Sequence, residues 1–132
     1  MEARSVDLDR IEENKNLVRR LVDRIINEWK IDELDTVFTL RAVARARKDF
    51  TSFRQAFPDW RMDLIQLVAE GDTVVARFKC NGTHKGSWHD DDPTGKKMSV
   101  DEVFFFRFTD GRINDMWAIE DTWTRKRQLG LR

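Results

Sequence analysis

Both histidines of the chain lie in one segment, NGTHKGSWHDDDPTG, over residues 81–95. His84, His89 and the three aspartates of Asp90–Asp92 are residue types that ligate metals or exchange protons. A metal site needs ligands that converge with a defined geometry, and this segment alone offers an incomplete set. We therefore predict no metal and no cofactor. A polar turn over Asp92–Gly95 is the alternative that we favour.

Helical patterns precede every strand-like pattern in the chain. Residues 9–30 place apolar side chains on neighbouring turns with charges on the opposite face, which predicts an amphipathic helix. A short helical piece is predicted over residues 32–38 and a third helix over residues 41–57, where Pro58 ends the run. A terminal helix is predicted after Asp121, with that aspartate as its N-cap.

Four strand-like segments follow the helices and are separated by turn signals. They cover residues 60–71, 73–86, 96–111 and 112–121. The order contains no β-α-β alternation, so it predicts one domain over residues 1–132 with an α+β fold. In that fold the N-terminal helices pack on a curved, mainly antiparallel sheet.

The composition argues against several kinds of partner. Lys plus Arg number 24 and Asp plus Glu number 24, so no net field attracts nucleic acid or an anionic membrane. The basic positions Arg41, Arg45 and Lys48 and the run Arg125–Arg127 lack interleaved aromatics, and we interpret them as solvated helix faces. The first twenty residues contain neither a signal peptide nor a spanning segment, which predicts a cytoplasmic location.

Cys80 is the single cysteine and cannot form an internal disulfide. It alternates with Phe78 and Ala76 in a strand, without a histidine nearby on the same face. A small buried side chain is therefore favoured over a nucleophile.

Several short motifs occur together in this chain: FPD at 57–59, GTHKG at 82–86, PTG at 93–95, DGRI at 110–113 and QLG at 128–130. Their joint pattern resembles the SnoaL-like polyketide cyclase and ester cyclase family. The opening NKNLVRRLVDRIINEWKIDELD is similar to that family's first helix. The resemblance implies a nuclear transport factor 2-like cone, with helices closing over a curved sheet around an apolar pocket, and commonly a homodimer through the outer sheet face.

Some members of that family catalyse a metal-free aldol cyclisation with an aspartate as general acid and base. Aligning the DGxI hairpin and the closing QLG without a gap places this acid at Ala118, where no proton can be exchanged. Two histidines of the cyclase pattern fall at Met116 and Phe104. The segment from Phe38 to Val43 also lacks the loop and strand that relatives usually have. The resemblance therefore implies the fold and the pocket without the cyclase chemistry.

Strand alternation groups the candidate site residues on one face of each of two neighbouring strands. By the resemblance these faces line the pocket: Glu102, Phe104 and Phe106 on one strand, Met116, Ala118 and Glu120 on the next. Trp88, on the preceding loop, is expected at the pocket rim in contact with a ligand.

Glu102 and Glu120 are the candidate catalytic residues. A carboxylate held among phenylalanines has a raised pKa and can act as a base near neutral pH. The alternative is that both point into solvent at strand ends, or pair with Arg77 or Arg107. Asp121 matches an acid of the family pattern, but its place before the last helix favours capping.

The residues that alternate with the pocket face are also apolar. Val103, Phe105, Trp117 and Ile119 are expected on the outer face of the sheet. An apolar patch of this size predicts burial against a second copy, hence a homodimer. The alternative is a bulge that turns some of these side chains inward.

Three functions stay open from the sequence. The first is an apolar pocket that binds a small molecule without cyclase chemistry, with a small apolar ligand as the expected partner. The second is a cofactor-free lyase, isomerase or cyclase that acts on a small carbonyl compound with Glu102 or Glu120 as base. The third is a dimeric interaction module whose pocket is filled.

Overall fold

The computed structural model describes residues 2–131, with side chains described from residue 7 onward. Three α-helices, two short helical segments and four strands follow one another along the chain. In order they are α1 (Glu2–Arg20), a π-helical turn (Leu21–Ile26), a 3-10 helix (Ile31–Thr36), α2 (Leu40–Ala56), β1 (Arg61–Glu70), β2 (Thr73–Thr83), β3 (Lys97–Thr109), β4 (Arg112–Glu120) and α3 (Thr122–Leu129).

The four strands form one antiparallel sheet in the order β1-β2-β3-β4. The predicted meander is therefore confirmed. The β3–β4 hairpin turns at Asp110 and Gly111, whose φ angles are 49° and 78°. Positive φ at both positions matches the twist of the flanking strands, which is why an Asp-Gly pair serves here.

The first predicted helix, over residues 9–30, is confirmed in place but differs at both ends. Helix α1 already begins at Glu2, and after Arg20 the hydrogen bonds widen to five residues, as in Asn27 N to Val22 O at 2.9 Å. The side chain of Asn27 explains where the helix ends. Its amide donates to Met62 O and its Oδ1 accepts from Met62 N, both at 2.8 Å, which ties the turn to the start of β1.

The short helical piece predicted over residues 32–38 is a 3-10 helix that ends at Thr36. The chain then passes directly into α2: Thr39 N donates to Ile113 O at 2.9 Å, and the Thr39 side chain caps the helix by accepting from Ala42 N at 3.3 Å. Phe38 forms a parallel bridge to Ile113 of β4. The shortened segment from Phe38 to Val43 therefore lies against the turn end of the β3–β4 hairpin.

The core lies between the helices and the concave face of the sheet. Alternation along β2 and β3 buries the residues of the inner face, as predicted, except for the partly buried Glu102, and α2 adds the side chains of Phe50 and Phe53. The largest fully buried side chains include Leu21, Ile25, Phe57, Phe78, Phe106 and Leu129. Cys80 is among the buried residues, as predicted, and burial raises the pKa of its thiol.

The convex face of the sheet carries the apolar residues that were predicted to point outward. Phe105, Trp117 and Ile119 are 38%, 55% and 54% exposed, and the rings of Phe105 and Trp117 lie 5.2 Å apart. A bulge does occur in the β3–β4 pairing, between Arg107 and Phe108. It leaves these side chains on the outer face.

Candidate functional site

A cavity of about 340 Å³ lies between α2 and the concave ends of β3 and β4. Helix α2, the residue before β1, the β2–β3 loop and the last two strands all contribute to its lining. The lining residues are Asp49, Phe50, Phe53, Trp60, Trp88, His89, Glu102, Phe104, Met116, Ala118 and Glu120.

Aromatic rings form most of the cavity wall. Phe53 lies at the centre, with its ring 4.7 Å from that of Trp60 and 4.9 Å from that of Trp88. Phe50 packs on Trp60 at 5.9 Å, and Phe104 faces them from the sheet. Such rings give a large apolar surface with fixed orientations.

Two carboxyl groups stand side by side in this aromatic wall. Glu102 of β3 and Glu120 of β4 are direct cross-strand partners, a relationship that places side chains within contact distance. The Nε of Arg125, from α3, donates to Glu120 Oε1 at 2.8 Å, and these two side chains are only 3% and 19% exposed. Glu120 therefore has a buried counter-charge.

Glu102 has a different environment from its neighbour. Burial raises the pKa of Glu102 to about 8, the negative charge of Glu120 adds to the rise, and Arg125 opposes it. The Glu102 carboxyl is consequently mostly protonated at pH 7. A protonated carboxyl beside an ion-paired carboxylate can donate a hydrogen bond. It can act as a base only after it has released its own proton.

The structure corrects the alternative in which the two glutamates point into solvent or pair with Arg77 or Arg107. Both line the cavity, and Arg77 instead contacts Asp101 at 3.4 Å. The interpretation of Arg125–Arg127 as a solvated run is wrong for Arg125, which is 2% exposed. Its spacing of four residues from the buried Leu129 puts both on the inner side of α3, a helical signal that was available in the sequence.

Four of the five residues predicted to bind a ligand line the cavity: Phe104, Met116, Ala118 and Trp88. Phe106 does not, because it lies deeper in the core at 1% exposure. The sequence reasoning missed Asp49, Phe50, Phe53, Trp60 and His89. Phe50 and Phe53 lie on the buried side of α2, and the sequence did not predict that this side meets β4.

Three of the sequence motifs, FPD, GTHKG and PTG, form a structural cluster beside the cavity. Asp59 of FPD accepts from Thr83 of GTHKG twice, from the backbone N and from Oγ1, both at 2.7 Å. His84 stacks on Phe57 with ring centres 5.3 Å apart. Thr94 of PTG donates its backbone N–H to His84 Nδ1 at 3.3 Å. These contacts hold the β2–β3 loop on the C-terminal end of α2.

His84 is fully buried. Strand β2 continues through Thr83, and His84 N and O remain bonded to Lys96 O and Gly95 N at 2.9 and 2.8 Å. Within residues 2–131, no group of three or more His, Cys, Asp or Glu side chains is arranged to hold a metal.

The tight turn of the loop lies earlier than predicted. Its centre is His89–Asp90, with φ of 49° and 66°, and not the predicted Asp92–Gly95. Trp88 and Asp91 exchange backbone hydrogen bonds at 3.1 and 2.9 Å across this turn. Asp tolerates positive φ, and the reversal brings Trp88 onto Phe53 and into the cavity wall.

At the start of α3, Asp121 accepts hydrogen bonds from Thr124 N at 3.1 Å and from Thr124 Oγ1 at 2.7 Å. The predicted capping role is confirmed, and these bonds lower the pKa of Asp121. None of the helices in the described part of the chain has the length and apolarity needed to cross a membrane.

Helices that close over one curved antiparallel sheet, with an apolar cavity between the two layers, define the α+β cone of the nuclear transport factor 2-like class. The SnoaL-like polyketide cyclase family model matches residues 16–129. The chain belongs to this family.

Solved structures show the same fold over most of their length. TsrD from Streptomyces laurentii is 23% identical, with 90% of this chain and 96% of that chain covered and a TM-score of 0.83. AclR, a putative hydroxylase from Streptomyces galilaeus, is 25% identical, with 91% and 82% covered and a TM-score of 0.78. IdmH, a putative polyketide cyclase from Streptomyces antibioticus, is 22% identical, with 89% and 99% covered and a TM-score of 0.77. A search of curated proteins finds no match.

Proposed function

We propose that this protein binds a small, largely apolar or aromatic molecule in the cavity between α2 and the sheet, without the cyclase chemistry of its family. The observation that carries the proposal is an aromatic-lined cavity of about 340 Å³ that contains the carboxyl of Glu102. Apolar walls with a few placed polar groups are typical of small-molecule sites. Ala118, at the position of the cyclase acid, supports binding without that reaction.

The contacts in the wall support a site that exists before a ligand arrives. Trp88 is held on Phe53 by the turn at His89–Asp90, and the loop is fixed by the Asp59–Thr83 hydrogen bonds. A preformed site avoids the entropic cost of ordering these side chains on binding. The filled-pocket alternative is disfavoured by the cavity volume.

Thermal shift with a panel of neutral aromatic alcohols and ketones tests binding directly. A ligand that binds only the folded state stabilises it by about 2.7 kcal/mol when the ligand concentration is one hundred times the Kd. Ala118→Phe should abolish the shift, because Ala118 is an exposed lining residue whose enlargement fills the cavity. Ile119→Phe, on the opposite face of the same strand, is the matched control and should leave the shift unchanged. A panel without any shift, or shifts that survive Ala118→Phe, would contradict the proposal.

A second candidate function is proton transfer on a small carbonyl compound. The observation that favours it is the pKa of Glu102, raised to about 8, close to the value that suits a general acid or base at neutral pH. In this function Glu102 donates its proton to the carbonyl oxygen, or removes an α-proton once ionised, and Glu120 with Arg125 sets the local charge. Glu102→Gln should then abolish turnover of a substrate found in the panel while binding persists. Unchanged turnover would exclude Glu102 as the proton donor.

A further inference from the structure

All but one of the carboxyl groups that line the cavity have a basic partner. Asp49 Oδ2 lies 3.7 Å from Arg45 Nε on the same helix, and Glu120 accepts from Arg125. Glu102 has no ion-pair partner within the described residues, and no lysine or arginine of that part of the chain lines the cavity. Glu102 is therefore the one lining carboxyl that, once ionised, has no ion-paired counter-charge from the described part of the chain, and a ligand can supply that charge.

The aromatic wall provides the second feature of a cation site. Phe53, Trp60, Trp88 and Phe104 line one cavity together with Glu102. The faces of such rings carry negative potential and attract ammonium groups, with tryptophan the strongest, and aromatic cages are a known means of binding quaternary ammonium ligands. An anionic ligand would instead meet three carboxyl groups.

We infer that the ligand of this cavity is an organic cation, an amine or quaternary ammonium compound whose charged nitrogen lies against Glu102 and the aromatic faces. The inference rests on the proposed binding function and names the ligand class. The remaining part of the ligand is apolar, because Met116, Ala118 and Phe50 complete the wall.

Binding of a cation is coupled to release of a proton from Glu102. Burial keeps this carboxyl mostly protonated at pH 7 in the free protein, and a cation beside it favours the ionised form. The titratable or charged groups placed around it are Glu120 on β4, Arg125 on α3, Cys80 on β2, Asp49 on α2 and His89 of the loop. Of these groups, only Arg125 repels a bound cation, and the negative charge of Glu120, which is hydrogen-bonded to Arg125, offsets the arginine's positive charge.

The test compares phenyltrimethylammonium with tert-butylbenzene, its uncharged isostere, by calorimetry and NMR titration between pH 6 and pH 9.5. We expect the cation to bind more tightly than the isostere at pH 9. Its affinity should also rise about tenfold from pH 7 to pH 9, because the ionised fraction of Glu102 rises by about that factor around a pKa near 8. The affinity of the isostere should not rise with pH.

Glu102→Gln keeps the shape of the side chain and removes its charge. It should eliminate both the preference for the cation and the rise with pH, while tert-butylbenzene still binds. Glu70→Gln, an exposed glutamate at the end of β1, is the matched control and should change neither.

Failure of this inference is distinguishable from failure of the proposed function. If tert-butylbenzene binds and the cation binds no more tightly at any pH, the ligand class is wrong and the binding function stands. If the cation keeps its pH dependence in Glu102→Gln, Glu102 is not the partner and the inference is overturned. If neither compound binds, the cavity function and the inference fail together.

Discussion

Glu102 and Glu120 are direct cross-strand neighbours, yet among the described residues only Glu120 has a basic partner, with Arg125 Nε 2.8 Å from its Oε1. Two carboxylates in contact cannot both ionise at ordinary cost, so the charge concentrates on the residue with the counter-charge. The protons of such a pair belong to the pair as a whole, and the arginine decides which member stays protonated. The chemistry of the cavity follows from this asymmetry.

The first prediction concerns the pH dependence of stability. The folded-state pKa of Glu102 is raised from 4.5 to about 8, so between these values the native state binds the proton more tightly than the unfolded state. Wild-type stability should therefore fall as pH rises through this window, by at most about 5 kcal/mol at ~1.4 kcal/mol per unit. Glu102→Gln should match wild type near pH 4 and be several kcal/mol more stable at pH 9, measured by urea unfolding.

The control for this experiment is Glu70→Gln, whose side chain is exposed. The free energy of unfolding of Glu70→Gln should differ little from that of wild type, and the difference should not change with pH. A Glu102→Gln curve parallel to wild type from pH 4 to pH 9 would show that the carboxyl is solvated and ordinary.

The second prediction concerns Arg125. Its removal in Arg125→Met leaves Glu120 without a counter-charge next to Glu102, and breaking a buried pair in this way costs about 3–5 kcal/mol. The double variant Arg125→Met/Glu120→Gln should be more stable than the single one, because the buried charge is gone. Arg125 Nη1 is buried with no hydrogen-bond partner in the described part of the chain, so the pair is incompletely satisfied and the double variant should lose little.

Guanidinium unfolding curves of both variants measure this coupling. Arg127→Met, two residues along α3 and exposed, is the matched control and should lie close to wild type. If the single and double variants lose the same free energy of unfolding, Arg125 does not stabilise the Glu120 carboxylate.

The elements and their faces were predictable because they depend on periodicity. Alternation along β3 and β4 correctly separated Phe104 and Met116, which face inward, from Phe105 and Trp117, which are exposed. Turn chemistry at Asp110–Gly111 was also a local signal. Such features need only the neighbouring residues of the chain.

The rest depended on contacts between distant segments. Glu120 finds its partner in α3, and the angle at which α3 leaves β4 cannot be read from spacing. His84 and His89 looked equivalent in the sequence, yet one is buried against Phe57 and the other forms a turn at the cavity rim. Residue type indicated chemistry at this loop, whereas the observed contacts show that the GTHKG motif fixes backbone positions.

The third prediction concerns the close approach of that motif to α2. The backbone N–H groups of Lys85 and Gly86 both donate to Ala56 O, at 2.9 and 3.0 Å. A Cβ on Gly86 would overlap Gln55 O, which is backbone and cannot move aside without distorting the end of the helix. Gly86→Ala should therefore lower the free energy of unfolding by about 1–3 kcal/mol.

Gly86→Ala should also shift the NMR signal of the Trp88 indole, because the loop that carries Trp88 is anchored at Gly86. Ser87→Ala, at the exposed next position, is the control and should leave both stability and the indole signal nearly unchanged. Wild-type stability in Gly86→Ala would show that the loop is not clamped to α2.

The fourth prediction concerns the outer face of the sheet, where Phe105, Trp117 and Ile119 are exposed side by side. We propose that a second copy of the chain covers this face, because an isologous contact buries the same apolar patch on both copies at once. Light scattering after size exclusion should give a dimer for wild type and a monomer for Trp117→Glu, since burial of an unpaired carboxylate opposes association. Leu40→Glu, at a 91% exposed position on α2, carries the same change away from the sheet and should remain dimeric. A wild-type monomer, or a Trp117→Glu dimer, would contradict this arrangement, and circular dichroism of both variants separates loss of association from loss of fold.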